Sequence, residues 1–393
     1  MTSTTVAPPL VGRLTRADVE DLGRELDDIR QSVIDSRGSS DAAYIRRLIK
    51  LRRGLELGSR LILMTSRGRP GWVLGTGGLA LAKVLDNMEI GHNVLHGQWD
   101  WMRDPRIHST TWDWDFATPP DLWQRAHNQT HHAFTNIVGQ DNDLGYGIMR
   151  VDEAQPWERR HLAQPVLNLL NALVFEHGIA AYDLGLGVVK RNGGERTPEF
   201  RADLDRTLAR VRRQAVKELV AWPALSGRGF ARTAAANVTA NLIRNVWSHS
   251  VIMCGHFPEG VEVFEQEAVR SDESRGEWYL RQMLGSADIT GPGWLHVLAG
   301  NLSHQIEHHL FPDLPSNRYA EIAPRVRGVF DRFGLRYHAA PLPKQVLSAW
   351  HRVLRLSLPD DWLAETTART ALPRLRELLR ARPIAPAGAR TAG

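Results

Sequence analysis

The feature that most constrains this chain is the gathering of its histidines into three short stretches. These are residues 91–100 (GHNVLHGQWD, box 1), 127–136 (HNQTHHAFTN, box 2) and 300–312 (GNLSHQIEHHLFP, box 3), which hold eight of the 16 histidines. Imidazole is the commonest side-chain metal ligand near neutral pH. Histidines this dense therefore indicate a metal site, built from segments that are far apart in the chain.

The spacing within the first two boxes predicts how the imidazoles are presented. His92 and His96 are four residues apart, as are His127 and His131, so on a helix each pair lies on one face and can reach one metal. His132 is rotated by ~100° from His131 and is free to serve a second metal.

Box 3 repeats this arrangement. His308 and His309 diverge in the same way, with His304 or Gln305 one turn earlier, and the spacing leaves open which of the two approaches the metal. Adjacent histidines in two boxes predict two metal centres rather than one.

Other polar residues are candidates for binding or orienting the ligands. A predicted helix over 233–257 places Asn245, His249 and His256 on a single face. A metal-bound histidine usually donates its other N–H to an acceptor, a role open to three aspartates near the boxes: Asp100, Asp141 and Asp143.

The composition narrows the choice of metal and partner. The single cysteine, Cys254, excludes a disulfide framework, a thiolate zinc site and an iron–sulfur cluster within one chain, and favours a reducing compartment. Eight or more histidines exceed the three or four ligands of a hydrolytic zinc site. A redox di-iron centre that activates dioxygen fits the number of histidines better.

The pI of about 9.6 indicates a basic surface. Such a surface could bind anionic headgroups, an acyl carrier or a partner protein, and nucleic acid is not expected.

Hydropathy gives a mixed membrane signal, since mean hydropathy is only −0.32. Segments 57–66 and 71–84 predict a hairpin that dips into or crosses the bilayer. The best spanning candidate is 165–189, in which Glu176, His177 and Asp183 must face the protein interior or a wet end. The basic stretch 190–217 is expected on the cytoplasmic side.

The rest of the chain predicts a mostly helical protein in three parts. Residues 1–58 form a disordered start and one or two helices, 59–325 hold the boxes, and 326–393 form a helical region with a loose tail from residue 373. The start has no basic and apolar pattern of a secretory signal. A tryptophan-rich run over 99–114 predicts an interfacial belt, the lining of an acyl entrance or ordinary packing.

The boxes resemble those of the membrane fatty acid desaturases. His92 and His96 match that family's HxxxH, residues 127–136 match HNxxHHxxTN followed by acidic residues, and QIEHHLFP matches QxxHH. The string HFPEGVE resembles the segment that carries an additional ligand, here His256. The resemblance covers roughly residues 60–325 and is nearest to actinobacterial acyl-CoA desaturases with a linoleoyl-CoA-desaturase-type third box.

The resemblance implies an all-α membrane protein. About four transmembrane helices in two hairpins would lie under a cytosolic helical cap, in the cell inner membrane, with the active site on the cytoplasmic side. The enzyme would use dioxygen and two electrons to introduce a cis double bond into an acyl chain, most simply an acyl-CoA. With no HPGG haem motif of a fused cytochrome b5, the electrons would come from a separate ferredoxin or a flavin and iron–sulfur reductase.

The resemblance also implies a set of site residues. Two iron ions would be held by eight histidines: His92, His96, His127, His131, His132, His256, His308 and His309. Six more residues would approach the metal or orient its ligands: Gln305, His304, His249, Asn245, Asp100 and Asp141. Two other functions stay open, a di-iron lipid or alkane hydroxylase and a histidine-rich metal-binding protein without turnover.

Overall fold

The computed structural model describes residues 14–141, 143–191, 193–266, 269, 272–360 and 362. The disorder expected before residue 14 and the loose tail expected from residue 373 lie outside this part of the chain. Within it the protein is mostly helical, as predicted.

The α-helices, in chain order, are α1 (Arg16–Ser36), α2 (Ser39–Thr65), α3 (Arg69–Val84), α4 (Asn93–Leu95), α5 (Pro120–Gln124), α6 (Gln164–Leu173), α7 (Phe175–Asp183), α8 (Leu186–Arg191), α9 (Pro198–Val216), α10 (Trp222–Leu225), α11 (Phe230–His256), α12 (Arg275–Leu284), α13 (Gly293–Leu298), α14 (Gln305–Leu310), α15 (Tyr319–Arg332) and α16 (Leu342–Arg355). π-Helical turns cover Leu85–His92, Arg125–His131 and Lys217–Ala221. Short 3₁₀ turns cover Asp100–Met102, Leu144–Gly147, Arg159–Ala163, Gly227–Gly229 and Ser316–Arg318.

Two three-residue strands, β1 (Asp288–Thr290) and β2 (Ala339–Pro341), pair in parallel. Their register sets Asp288 opposite Ala339 and Thr290 opposite Pro341. The pair brings the segment before box 3 against the start of α16.

The N-terminal helix covers the segment that carries box 3. The apolar residues that predict α1, namely Val19, Leu22, Leu26 and Ile29, are all buried. They join one core with residues of α12 and α15, and that core also takes in Ile306 and Leu310 of α14. Burial of these side chains, each contributing about 1.5–3 kcal/mol, fixes α14 in place.

Two long helices and their neighbour form the other half of the molecule. A three-residue connection joins α2 to α3, so the two pack as an antiparallel hairpin, and α11 packs beside them. Small residues allow the close approach, with Ala80 of α3 against Ala236 and Ala240 of α11. The predicted domain boundaries near residues 58 and 325 fall inside α2 and α15.

The prediction of one long helix over 165–189 is wrong. The segment forms α6, α7 and α8, separated at Val174 and at Gly185, whose φ of +67° is a left-handed conformation that favours glycine. The buried carboxylate of Glu176 bonds the buried guanidinium of Arg244, whereas His177 is exposed. Among the described helices, none is both long enough and apolar enough to cross a bilayer.

A buried ion network joins the hairpin to the rest of the protein. Glu218 Oε1 lies 2.9 Å from Arg60 Nη2 of α2 and 3.2 Å from Lys83 Nζ of α3. Lys83 also reaches Asp115 Oδ2 at 3.1 Å, and Lys217 reaches Asp115 Oδ1 at 2.6 Å. The network therefore ties the loop that holds Asp115, after box 1, to α3, the helix that leads into box 1.

Candidate metal centre

Box 1 keeps the predicted helical presentation. The π-helical turn Leu85–His92 leads into α4, and the His96 amide bonds the His92 carbonyl at 3.1 Å, an i,i+4 contact. The Nε2 atoms of His92 and His96 lie 3.1 Å apart.

Box 2 departs from the prediction because it is π-helical rather than α-helical. The His132 amide bonds the His127 carbonyl at 3.0 Å, five residues back. This wider turn rotates less per residue, so His132 is not directed away from its neighbours: its ring centre lies 4.9 Å from that of His127. π-Helical turns are rare and are frequently found at functional sites.

The structure brings all eight predicted histidines together in two adjoining groups. The possible ligand atoms of the first group lie within 4.8 Å of one another and belong to His92, His96, His127 and His308. Those of the second, equally close, belong to His131, His256 and His309. The ring centre of His132 lies between the groups, 4.7 Å from that of His96 and 4.4 Å from that of His309.

The donor set fits nitrogen-coordinated metal ions. Several buried ring nitrogens have no hydrogen-bond partner, including Nε2 of His127, His131 and His309 and both nitrogens of His132. Leaving a buried polar atom unpaired costs about 1–3 kcal/mol, which coordination would offset. Burial also lowers the pKa of His127 and His132 well below the usual value, so these imidazoles are neutral and offer lone pairs.

Carboxylates orient the box 2 imidazoles. His131 Nδ1 lies 2.9 Å from Asp141 Oδ1, and His127 Nδ1 lies 3.3 Å from Asp143 Oδ2. Burial alone would lower the pKa of His131, but Asp141 and Asp143 outweigh it and raise that pKa to about 9. Burial raises the pKa of Asp143 to about 6. Hydrogen bonds of this kind set the ring orientation of a ligand histidine.

The backbone reverses direction at the end of box 2, which brings Asp141 next to His131. Asn136 has a φ of +57°, a left-handed conformation that asparagine tolerates. The Asn136 side chain donates to the Glu262 and Gly285 carbonyls at 2.9 and 2.8 Å. The Asn136 backbone N–H donates to Asp141 Oδ2 at 2.7 Å. The reversal therefore places the carboxylate against the ring.

In box 3 the structure shows which of His304 and Gln305 lies near the histidine groups, a choice that the spacing left open. Gln305 Nε2 lies 3.1 Å from His256 Nε2, so Gln305 faces the second group. His304 instead faces Asp288 and Glu307. Gly255 leaves room for Gln305, because a Cβ there would lie only 2.7 Å from Gln305 Cγ.

Two orienting residues were not recognised from the sequence. Gln282 Oε1 lies 3.1 Å from His309 Nδ1, and the Tyr319 hydroxyl lies 3.4 Å from His308 Nδ1. Neither residue belongs to a box or to a recognisable pattern, so only the packing of α12 and α15 on α14 reveals them.

Three residues that were predicted to approach the metal or orient its ligands lie away from the two histidine groups. His249 bonds Asn168 Oδ1 at 2.9 Å, and Asn245 donates to the Leu173 carbonyl at 2.9 Å, so the polar face of α11 is used to fasten α6. The Asp100 carboxylate accepts from the Ser109 amide and hydroxyl at 2.8 and 2.6 Å. It closes a loop instead of orienting a box histidine, contrary to the prediction.

A small cavity borders the histidines. Its volume is about 50 Å³, and its lining includes three imidazoles, several apolar side chains and several polar ones: His92, His127, His256, Met88, Trp114, Phe116, Phe175, Ile179, Asn87, Asp143, Asp183 and Gln305. A larger pocket of about 680 Å³ shares Tyr146 and Asp183 with it. Of the tryptophan-rich run, Trp99 is packed in the core and Trp114 lines the cavity.

Asp141→Asn is expected to weaken metal binding by about 10–100-fold, because the amide cannot hold His131 in one orientation as the carboxylate does. Competition with a chelator, using Fe²⁺ as the probe, measures the change. Asp100→Asn is the matched control, since Asp100 bonds Ser109 and should leave the affinity unaltered. Equal affinities for the two variants would remove Asp141 from this role.

The fold and the site define a helical protein with a histidine-rich metal centre beside a partly apolar cavity. A family model described as Fatty acid desaturase matches residues 70–341. The chain is 48% identical over 356 residues, 90% of its length and 83% of the relative's, to the NADPH-dependent stearoyl-CoA 9-desaturase of Mycobacterium tuberculosis. It is 23% identical over 288 residues, 72% of its length and 79% of the relative's, to the sn-1 linoleoyl-lipid 6-desaturase of Synechocystis sp..

The chain therefore belongs to the fatty acid desaturase family and is an oxidoreductase that acts on fatty acyl chains. The family resemblance inferred from the three boxes is confirmed.

Proposed function

We propose that the chain is an oxygen-dependent acyl-CoA desaturase that introduces a cis double bond with the help of two iron ions. The observation that carries the proposal is the convergence of eight histidines from four segments, three of which, His92, His127 and His256, line a cavity together with apolar side chains. The stearoyl-CoA relative supports an acyl-CoA substrate. Because the matched relatives named above are both desaturases, desaturation is favoured over hydroxylation.

The two histidine groups divide the ligands. One iron would be held by His92, His96, His127 and His308 and the other by His131, His256 and His309, with His132 between the groups. Two irons bound here would supply the oxidising power, drawn from dioxygen, that an unactivated methylene C–H bond requires. In the balanced reaction the acyl chain loses two hydrogen atoms. With two electrons and two protons added, both oxygen atoms leave as water.

The residues of the cavity position the substrate and exclude water. Phe175 and Ile179 line the small cavity together with His92, His127 and His256, which would give a methylene pair apolar contacts beside the proposed metal ligands. The adjoining larger pocket carries polar groups, among them Gln155, Asn171 and Tyr182. We propose that the acyl chain enters there and that its reacting carbons lie in the small cavity.

Ile179→Trp should fill the small cavity, where the reacting carbons of any acyl chain would lie, and lower kcat/KM by roughly 10-fold for stearoyl-CoA and for shorter acyl chains alike. Steady-state rates on acyl-CoA substrates of graded length measure the loss. Leu347→Trp on α16 is the control, because Leu347 is 70% exposed and lines neither pocket. Unchanged rates, or a loss confined to the longest chains, would contradict the proposed position of the reacting carbons.

The electrons are proposed to come from a separate protein, a ferredoxin or a flavin and iron–sulfur reductase. The only cysteine, Cys254, is buried, so this chain cannot bind an iron–sulfur cluster of its own through cysteines. The name of the M. tuberculosis relative, an NADPH-dependent enzyme, supports an external source of reducing equivalents.

We further propose that residues 59–325 form a desaturase domain embedded in the cell inner membrane by about four passes, with the metal centre on the cytoplasmic side. Exposed apolar side chains support contact with lipid. On α11 they recur every fourth residue as Val238, Leu242 and Val246, and α3 and α6 expose more of them: Val73, Leu74, Val166, Leu169 and Leu170.

The proposed activity is tested with the full chain, loaded with Fe²⁺ and supplied with stearoyl-CoA, NADPH and a ferredoxin–reductase pair. Gas chromatography of the product should show an alkene, with oxygen consumed only when substrate is present. An alcohol product would identify a hydroxylase instead. Variable iron loading with no oxygen consumption would identify a metal-binding protein without turnover.

A further inference from the structure

Another cluster of acidic and imidazole groups includes two residues of box 3 but none of the histidines in the two groups described above. Asp288 belongs to β1, His304 immediately precedes α14, and Glu307 lies on α14. Their possible ligand atoms lie within 4.8 Å of one another, and the group shares no residue with the two histidine groups. Asp288 is 4% exposed and Glu307 is fully buried.

The distances within this cluster suit a shared ion better than direct hydrogen bonds. His304 Nδ1 lies 3.8 Å from Asp288 Oδ2 and 3.9 Å from Glu307 Oε2. A hydrogen bond between such atoms would measure about 2.7–3.2 Å. Two ligands that each bind one metal at about 2.0–2.2 Å can stand up to roughly 4.3 Å apart, which covers both distances.

Glu307 in particular lacks partners, whereas Asp288 Oδ1 accepts from the Ile306 amide at 3.0 Å. Glu307 Oε2 has no hydrogen-bond partner although it is buried. The Tyr337 hydroxyl lies against both carboxylates, 2.9 Å from Glu307 Oε1 and closer still to Asp288 Oδ2. One hydroxyl has one hydrogen to donate, so it satisfies one carboxylate at a time.

No cation of the chain balances these groups. In the part of the chain that the structure describes, neither Asp288 nor Glu307 forms an ion pair with lysine or arginine, and His304 is the only basic group facing them. Burying two carboxylates without a cation is costly. The ring of His296 stacks on that of His304 at 4.6 Å and 28°, which fixes the plane of the imidazole.

We propose that Asp288, His304 and Glu307 form a third metal site, which takes a divalent first-row transition ion such as Zn²⁺ or Mn²⁺. One imidazole and two carboxylates, completed by water, are ligands that suit these ions. The ion would join β1 to α14 and so hold the helix that carries His308 and His309. His304 and Glu307 lie within box 3, but none of the three ligands belongs to either histidine group, so the site does not depend on iron held there.

The test measures zinc in the full chain carrying His96→Ala, His132→Ala and His256→Ala, which remove one histidine from each group and the histidine between them. After equilibration with Zn²⁺ and buffer exchange, we expect about one zinc per chain by mass spectrometry. Adding Glu307→Gln should remove it. The matched control is Glu321→Gln, at an exposed position of α15 that pairs with Arg318, and it should retain the ion. Equal zinc contents in these two chains, or no zinc in either, would overturn the proposal.

X-ray absorption by the bound zinc provides a second measurement that needs no change in the cluster. In the His96→Ala, His132→Ala, His256→Ala chain, zinc at the proposed site should show about one imidazole with oxygen ligands. A spectrum dominated by several imidazoles would place the ion at the remaining box histidines and overturn the assignment. This measurement decides the question if Glu307→Gln fails to fold.

Discussion

His308→Ala is expected to abolish desaturation, leaving less than about 1% of the activity, while the chain still folds. His308 is fully buried, its Nε2 lies 3.3 Å from His92 Nε2, and it belongs to the first histidine group. Its removal leaves that group with three imidazoles and opens one side of the proposed iron site to water. Product yield by gas chromatography and iron content per chain measure the two losses together.

His177→Ala serves as the control for this change. His177 is exposed on α7 and belongs to neither histidine group, so most of the activity should be retained. His308→Gln tests whether volume alone matters, because it preserves bulk and removes the imidazole. Full activity in His308→Ala would remove this residue from the metal centre, and complete loss in His177→Ala would show that α7 has an unrecognised role.

Glu218→Ala is expected to destabilise the protein by about 3–5 kcal/mol, the range for breaking a buried ion pair by removing one partner. The side chain of Glu218 is 5% exposed and lies within 3.4 Å of the nitrogens of Arg60, Lys83 and Lys217. Its loss leaves Arg60 and Lys83 buried with fewer acceptors. Denaturant unfolding of the purified chain measures the change in free energy.

An exposed ion pair provides the comparison. Asp121 lies 2.8 Å from Arg206, and its side chain is 56% exposed, so Asp121→Ala should cost no more than about 1 kcal/mol. Similar losses in the two variants would mean that burial does not govern the strength of the Glu218 network.

The interpretation of box 2 illustrates the limits of local spacing. A spacing of four residues and an adjacent histidine indicated metal ligands, and the structure brings His127, His131 and His132 together. An α-helix was assumed, however, and the segment is π-helical. Spacing alone does not distinguish an i,i+4 from an i,i+5 hydrogen bond, because that choice depends on what the turn packs against.

The segment 165–189 shows the same limit for hydropathy. Its apolar composition predicted a single helix, but Gly185 adopts a left-handed conformation and Glu176 bonds Arg244, which is 68 residues further along the chain. A hydropathy average counts each side chain separately and cannot anticipate a distant partner that makes a buried carboxylate acceptable.

What the sequence determined by itself is the helical class, the family and the identity of the converging histidines, since these depend on residue type and spacing along the chain. The tertiary structure alone decided that Gln305 faces His256 while His304 turns to Asp288 and Glu307, and that Gln282 and Tyr319 orient the box 3 rings. The physical reason is that hydrogen bonds and coordination act over a few ångströms in space. Which groups come within that range is fixed by the packing of helices far apart in the chain.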